Sequence, residues 1–150
     1  MSEPPFQPLP CSPAADENKA AILAVLECHF TTPARVLEPG AGTGQHAVHF
    51  AAALPWLCWQ TSELPAALPG LAARIAAAGL PNLPPPLALD VGAGAWPPLV
   101  ADHAYTANTA HILPWAGVVA MFAGIARVLA PGGRFVLYGP LLDGPASAAS

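Results

Sequence analysis

The sequence predicts an α/β domain in which helices cover both faces of a mostly parallel β-sheet. Short apolar runs alternate with helix-like segments, which is the order typical of parallel sheets with right-handed crossovers. The first apolar run ends in an acid followed at once by glycines, the pattern of a strand that turns sharply into a helix. The chain is 54% hydrophobic and 9% charged, so it is apolar enough to bury a core.

Length and proline usage predict one domain with two short ends. A chain of 150 residues suits a single domain. Prolines cluster near the start, which is typical of an extended connector. We expect a flexible N-terminal arm at residues 1–11, the domain at 12–140 and a C-terminal tail at 141–150.

Apolar spacing and turn residues predict four helices and five strands. Ser12-Pro13 is a typical helix start, and Gly79 is a typical helix end. The predicted helices span residues 13–30, 44–53, 65–78 and 114–129. The predicted strands span residues 35–38, 57–62, 86–90, 103–109 and 134–138.

Charge and cysteine usage argue against several classes of function. The formal net charge is −4 with only five Lys and Arg, and they form no cluster, so we expect no stable nucleic-acid binding. The uncharged stretch 104–126 is interrupted by polar residues and a proline, so we expect no membrane span. The cysteines have no metal-ligand spacing, which predicts free thiols, no metal site and a cytoplasmic location.

The glycine-rich segment between the first strand and the next helix is the sharpest motif. Gly40, Gly42 and Gly44 are spaced GxGxG, and Glu38 stands two residues before them. Glycine lets a ligand approach the backbone closely, and the helix start offers free N–H groups to an anion. The dinucleotide fingerprint is GxGxxG, and a P-loop needs Gly-Lys-Ser/Thr where this chain has Gly44-Gln45. The ligand therefore need not carry a pyrophosphate, and a simple tight turn is the alternative.

Two further acids follow the next strands. Glu63 comes at the end of the second predicted strand and Asp90 closes the third. Ligands of open α/β sheets bind beyond the carboxyl ends of the strands. Glu63 is placed to accept ribose hydroxyls, and Asp90 to accept an amine of a base. A solvated loop carboxylate explains either acid alone, but acids at three successive strand ends favour a nucleoside site.

Several of these segments resemble a known protein class. Residues 36–44 resemble motif I of class I S-adenosylmethionine-dependent methyltransferases, and 129–133 resemble the turn before their fifth strand. The strings at 42–51, 59–63, 87–91, 107–115 and 135–140 are similar to a family once named only as a domain of unknown function, which includes methyltransferase-like protein 26. The resemblance covers roughly residues 12–145 and implies a Rossmann-like three-layer sandwich with strand order 3-2-1-4-5.

The resemblance also implies S-adenosylmethionine as the cofactor and a role for each site residue. Glu38 and the three glycines of the motif would hold its methionine part. Glu63 would bind the ribose, and Asp90 with the backbone of Val91 would read the adenine. Asn108, at the end of the fourth strand, would lie near the methyl group and the substrate.

Methyl transfer from a sulfonium is an in-line displacement, and a general base helps when the acceptor carries a proton. We expect His111 to be this base, with Asn108 as an orienting group. The alternative for His111 is a structural histidine at a helix entry. His46, in the helix after the glycines, is placed to face the cofactor carboxylate.

Methyltransferases of this class have seven strands in the order 3-2-1-4-5-7-6, but only 12 residues follow Tyr138. We therefore expect strands 6 and 7 to be missing and the fifth strand to be an exposed edge, open to a partner or a second copy. The leading hypothesis is a methyltransferase acting on a small molecule or a protein. The alternatives are a catalytically silent cofactor-binding or interaction module and, third, a nucleotide-dependent oxidoreductase.

Overall fold

The structure is a computed structural model that describes residues 13–109 and 112–139. The helices are α1 (Pro13–His29), α2 (Gln45–Ala53), α3 (Leu68–Ala78) and α4 (Trp115–Val128), with one 3-10 turn (Pro65–Ala67) before α3. The strands are β1 (Ala34–Glu38), β2 (Leu57–Glu63), β3 (Leu87–Ala88), β4 (His103–Ala107) and β5 (Phe135–Tyr138). The predicted N-terminal arm and most of the predicted tail lie outside the described residues.

The five strands form one sheet in the order β3-β2-β1-β4-β5, and every neighbouring pair is parallel. This confirms the predicted fold class and strand order. Because all strands run the same way, their carboxyl ends lie along one edge of the sheet. The ends of β1 and β4 are neighbours at the centre of that edge, where the chain crosses between the two halves of the sheet.

Helices cover both faces of the sheet, as predicted. Helices α1, α2 and α3 share a core with the side chains of one face, centred on the buried rings of Phe50, Trp59 and Tyr105. Each of these three rings has its centroid 5.5 to 5.6 Å from the other two. On the other face, Met121 of α4 packs with Ala104, the residue next to Tyr105 on β4. Alternate residues of β4 therefore face the two helical layers.

Two strands end earlier than the sequence predicts, and the fifth begins one residue later. The third strand is predicted at 86–90, but β3 spans only Leu87–Ala88, because prolines 84–86 have no N–H to donate before it and β2 ends at Glu63, opposite Ala88. Asp90 therefore follows the strand instead of closing it. The fourth strand was expected to reach residue 109, but it ends at Ala107 because Asn108 adopts a φ of +60°. No helix in the described part of the chain is long and apolar enough to cross a membrane.

Candidate functional site

The glycine turn between β1 and α2 needs glycine for two different reasons. Gly40, Gly42 and Gly44 have φ values of +65°, +59° and +84°, a region that side chains disfavour. A Cβ at Gly40 would lie 2.5 Å from the Thr109 hydroxyl, so the β4 end leaves no room for one. A Cβ at Gly42 would meet no atom within 4 Å. The backbone at Gly42 is therefore open to close approach by a ligand.

Hydrogen bonds from the neighbouring strands fix this turn. The Ala41 N–H donates to the Ser62 carbonyl at 3.0 Å, and the Ser62 hydroxyl donates to the Glu38 carbonyl at 3.0 Å. On the other side, the Thr106 hydroxyl donates to the Pro39 carbonyl at 2.8 Å. These contacts tie the turn to both β2 and β4, so its geometry is set before any ligand arrives.

A cavity of about 220 Å³ opens where this turn faces the end of β4. It lies at the carboxyl edge of the sheet, between the start of α2 and the last residues of β4. Four predicted site residues line it: Glu38, Gly40, Gly42 and Asn108. The other lining residues are Ala41, Thr43, Gln45, His46 and Ala107.

Glu38 is a buried acid at the floor of this cavity, with 2% of its surface exposed. Its carboxyl Oε1 accepts a hydrogen bond from the Trp59 indole N–H at 2.9 Å. Burial raises the pKa of Glu38 to about 8, the Trp59 hydrogen bond opposes that rise, and the nearby Glu63 charge adds to it. Glu38 is therefore mostly protonated at pH 7 and can ionise when a cation lies beside it.

Asn108 has a left-handed backbone, with a φ of +60°, and no other non-glycine residue in the described part of the chain has a positive φ. Its N–H continues the ladder to β5 by donating to the Tyr138 carbonyl at 2.8 Å. Asparagine tolerates this region better than most residues, yet the conformation still costs about 1 kcal/mol. Strained backbones of this kind concentrate at functional sites. This residue of unusual backbone conformation is one of those that line the cavity.

The other predicted site residues that the structure describes do not line this cavity. Glu63 reaches back to the turn, where its Oε2 accepts the Gly42 N–H at 2.8 Å while its Oε1 accepts the Leu64 N–H at 2.9 Å. Gly44 is buried under the turn, where a Cβ would lie 2.8 Å from Leu71. Asp90, beyond β3, is exposed, and its Oδ1 accepts the Gly92 N–H at 3.1 Å.

The side chain of Val91, the residue after Asp90, is buried in the apolar cluster that includes Met121 of α4. The predicted base His111 lies outside the described residues. Asn108, expected to orient the acceptor, is thus the predicted catalytic residue that the structure places at the cavity.

Sequence reasoning missed the residues that support the site from below. Thr106 and Thr109 of the β4 end lie with their hydroxyls 2.9 Å apart, beneath Gly40. The Tyr105 hydroxyl lies 2.9 Å from Nδ1 of His46. Tyr105, Thr106 and Thr109 all lie in the predicted fourth strand, but nothing in the sequence showed that the two threonines meet the glycine turn or that Tyr105 meets His46.

Comparison with known proteins places the chain in a family. A family model described as a protein of unknown function, DUF938, matches residues 9–150. The chain belongs to the DUF938 family. The narrower resemblance to methyltransferase-like protein 26 stays a prediction.

Three solved structures to which this DUF938 chain is similar are methyltransferases. The S-adenosylmethionine-dependent methyltransferase SibL superposes with a TM-score of 0.73 at 25% identity, over 91% of this chain and 40% of SibL. The CcbJ methyltransferase from Streptomyces caelestis gives 0.65 at 25% identity, over 81% of this chain and 48% of CcbJ. CalS10 is an amino pentose methyltransferase from Micromonospora echinaspora, solved with S-adenosylmethionine bound. It gives 0.66 at 27% identity, over 85% of this chain and 51% of CalS10.

The DUF938 chain therefore has the Rossmann-like fold of S-adenosylmethionine-dependent methyltransferases. It spans about half or less of the length of these three relatives.

Proposed function

We propose that this chain binds S-adenosylmethionine and forms the cofactor-binding part of a methyltransferase whose acceptor is a small molecule or a protein. The observation that carries the proposal is the cavity at the carboxyl edge of the sheet. There the open Gly42 backbone, the buried acid Glu38 and the strained Asn108 meet in one space. The methyltransferase relatives, one of them with this cofactor bound, support the same assignment.

The residues of the cavity suit the amino-acid end of this cofactor. An ammonium group next to Glu38 would stabilise its ionised form, because an opposite charge lowers the pKa that burial has raised. The open space at Gly42 lets a ligand chain lie directly against the backbone. The cavity volume of about 220 Å³ suits the methionine part of the ligand and not the whole of it. The nucleoside part is assigned to the neighbouring strand ends, at Glu63 and Asp90.

The chain's contribution to methyl transfer is positioning. The bound cofactor supplies a methyl group on a positively charged sulfur. Alignment of nucleophile and methyl carbon supplies up to about 7–11 kcal/mol of the barrier reduction. The fixed glycine turn holds the amino-acid end of the cofactor. Asn108 at the end of β4 offers an amide oxygen and an NH₂ group for orienting the acceptor.

Isothermal titration calorimetry of the purified chain tests the proposal. We expect S-adenosylmethionine and S-adenosylhomocysteine to bind and NAD not to bind. Glu63→Ala should weaken binding about tenfold or more, because a charge-assisted hydrogen bond to ribose is worth about 1.5–3 kcal/mol. Glu27→Ala, which removes an exposed carboxylate from α1, is the matched control and should bind as the wild type does.

A folded wild-type chain that binds neither ligand would refute the proposal, and tight NAD binding would point to an oxidoreductase instead. Where binding is found, incubation with candidate acceptors and assay for S-adenosylhomocysteine separates a methyltransferase from a silent binding module.

A further inference from the structure

The second residue of α2 is a buried histidine that faces the proposed cofactor cavity. His46 has 6% of its surface exposed and is among the residues that line this cavity. Its ring packs against Phe50, with centroids 5.2 Å apart. Its Nδ1 lies 2.9 Å from the Tyr105 hydroxyl. Packing and this hydrogen bond together fix how the imidazole is turned.

The Tyr105 hydroxyl determines what the imidazole offers to a ligand. Tyr105 is fully buried, and burial raises its pKa further above the usual range, so the hydroxyl keeps its proton. When this hydroxyl donates to His46 Nδ1, a neutral imidazole carries its own proton on Nε2 and can donate it to a ligand. A hydrogen-bond partner on one ring nitrogen commonly fixes the tautomer in this way.

The cavity is short of positive charge. None of the described residues that line it is a Lys or an Arg. Glu38, the acid of the cavity, suits an ammonium group and not an anion. An amino-acid ligand brings both an ammonium and a carboxylate, so the carboxylate needs a separate N–H donor or cation. The start of α2 carries N–H groups and the positive end of the helix dipole, and His46 lies in that first turn.

We propose that His46 binds the carboxylate of the cofactor's amino-acid end, and that Tyr105 is the positioning residue that orients its ring. This inference rests on the proposed function and makes it more specific: Glu38 and His46 would divide recognition of a zwitterion between them. It predicts that the chain distinguishes ligands by the presence of this carboxylate.

The test compares two ligands that differ by this group alone, S-adenosylmethionine and decarboxylated S-adenosylmethionine, titrated into the wild type and three variants. His46→Phe keeps the ring and its packing but removes both nitrogens. We expect this variant to bind S-adenosylmethionine roughly tenfold to a hundredfold more weakly than the wild type. Its affinity for the decarboxylated ligand should change by less than about twofold. Tyr105→Phe should give a smaller loss, roughly threefold to tenfold, again confined to the ligand with the carboxylate.

His49→Phe is the matched control, since His49 lies on the same helix but does not line the cavity. It should leave the affinities of both ligands unchanged. If His46→Phe fails to fold, Tyr105→Phe and the wild-type preference for the carboxylate ligand carry the test.

The outcomes separate the two proposals. A wild type that binds both ligands equally, or variants that lose both ligands by the same factor, would overturn the role of His46 while leaving cofactor binding intact. A wild type that binds neither ligand would overturn the proposed function itself and this inference with it. A loss confined to the carboxylate ligand supports both.

Discussion

Substitution of Gly40 by alanine tests whether the end of β4 shapes the glycine turn. Gly40 has a φ of +65°, and a Cβ there would lie 2.5 Å from Thr109 Oγ1 and 3.1 Å from Thr109 Cγ2. The left-handed backbone costs a non-glycine residue about 1–2 kcal/mol. Overpacking a filled site costs about 1–3 kcal/mol more. We therefore expect Gly40→Ala to lower the free energy of unfolding by about 2–5 kcal/mol.

Gly42→Ala separates the two contributions. Gly42 has a similar φ of +59°, but a Cβ there would meet nothing within 4 Å. This variant should lose only the backbone term, about 1–2 kcal/mol. Urea unfolding followed by circular dichroism measures both losses, provided that the slope of the transition is unchanged.

A double variant tests whether Thr109 is the cause of the extra cost at Gly40. Thr109→Ala removes the two atoms that crowd Gly40, so Gly40→Ala should cost less in its presence, by about 1–3 kcal/mol. Crowding by Thr109 is refuted if Gly40→Ala costs no more than Gly42→Ala, or if the costs of Gly40→Ala and Thr109→Ala simply add.

Three further predictions concern stability. Gly124→Ala should lower the free energy of unfolding by about 1–3 kcal/mol, because its methyl group would overlap the Trp96 ring. Gly70→Ala, in open space on α3, should raise the free energy of unfolding by about 0.5–1 kcal/mol. Chemical denaturation measures both, and equal effects would contradict the contact between Gly124 and Trp96. Because the pKa of Glu38 is raised from 4.5 to about 8 on folding, the wild type should lose a few kcal/mol of stability as the pH rises from 4.5 to about 8. Glu38→Gln should abolish this loss in urea titrations over the same pH range. A variant with the same pH dependence as the wild type would contradict the raised pKa. In thermal scans, the stability of Asn108→Gly should lie within about 0.5 kcal/mol of the wild type, whereas Asn108→Ala should lose about 1 kcal/mol, because only glycine relieves the positive φ. The reversed order of stability would refute backbone strain at Asn108.

The sequence was sufficient to predict the element order, the parallel sheet and the glycine turn, because these depend on local periodicity and on residues with special backbones. Gly79 ends α3 in a left-handed conformation, as its position after the apolar repeat predicts. The third strand is shorter than predicted because its neighbour β2 ends at Glu63, opposite Ala88, which local spacing along residues 86–90 does not show.

The supporting contacts of the site could not be predicted, because they join residues far apart in the chain. Trp59 was expected in the core, and it is there, but its bond to Glu38 crosses 21 positions. The contact between Tyr105 and His46 crosses 59 positions. Such pairs depend on which strands become neighbours and on how each side chain is turned, and neither is written in local spacing.

Glu63 connects the glycine turn with the proposed nucleoside site. A carboxylate has about four acceptor positions, and the Gly42 and Leu64 amides use two of them. Two remain, which matches the two hydroxyls of a ribose in the proposed function. An aspartate would be about 1.5 Å shorter, the length of one carbon–carbon bond, and would not reach Gly42 without a shift of the turn. One side chain can therefore hold the turn in shape and, in the proposed function, also bind the ribose. A change at this residue should then disturb the recognition of both halves of the cofactor together.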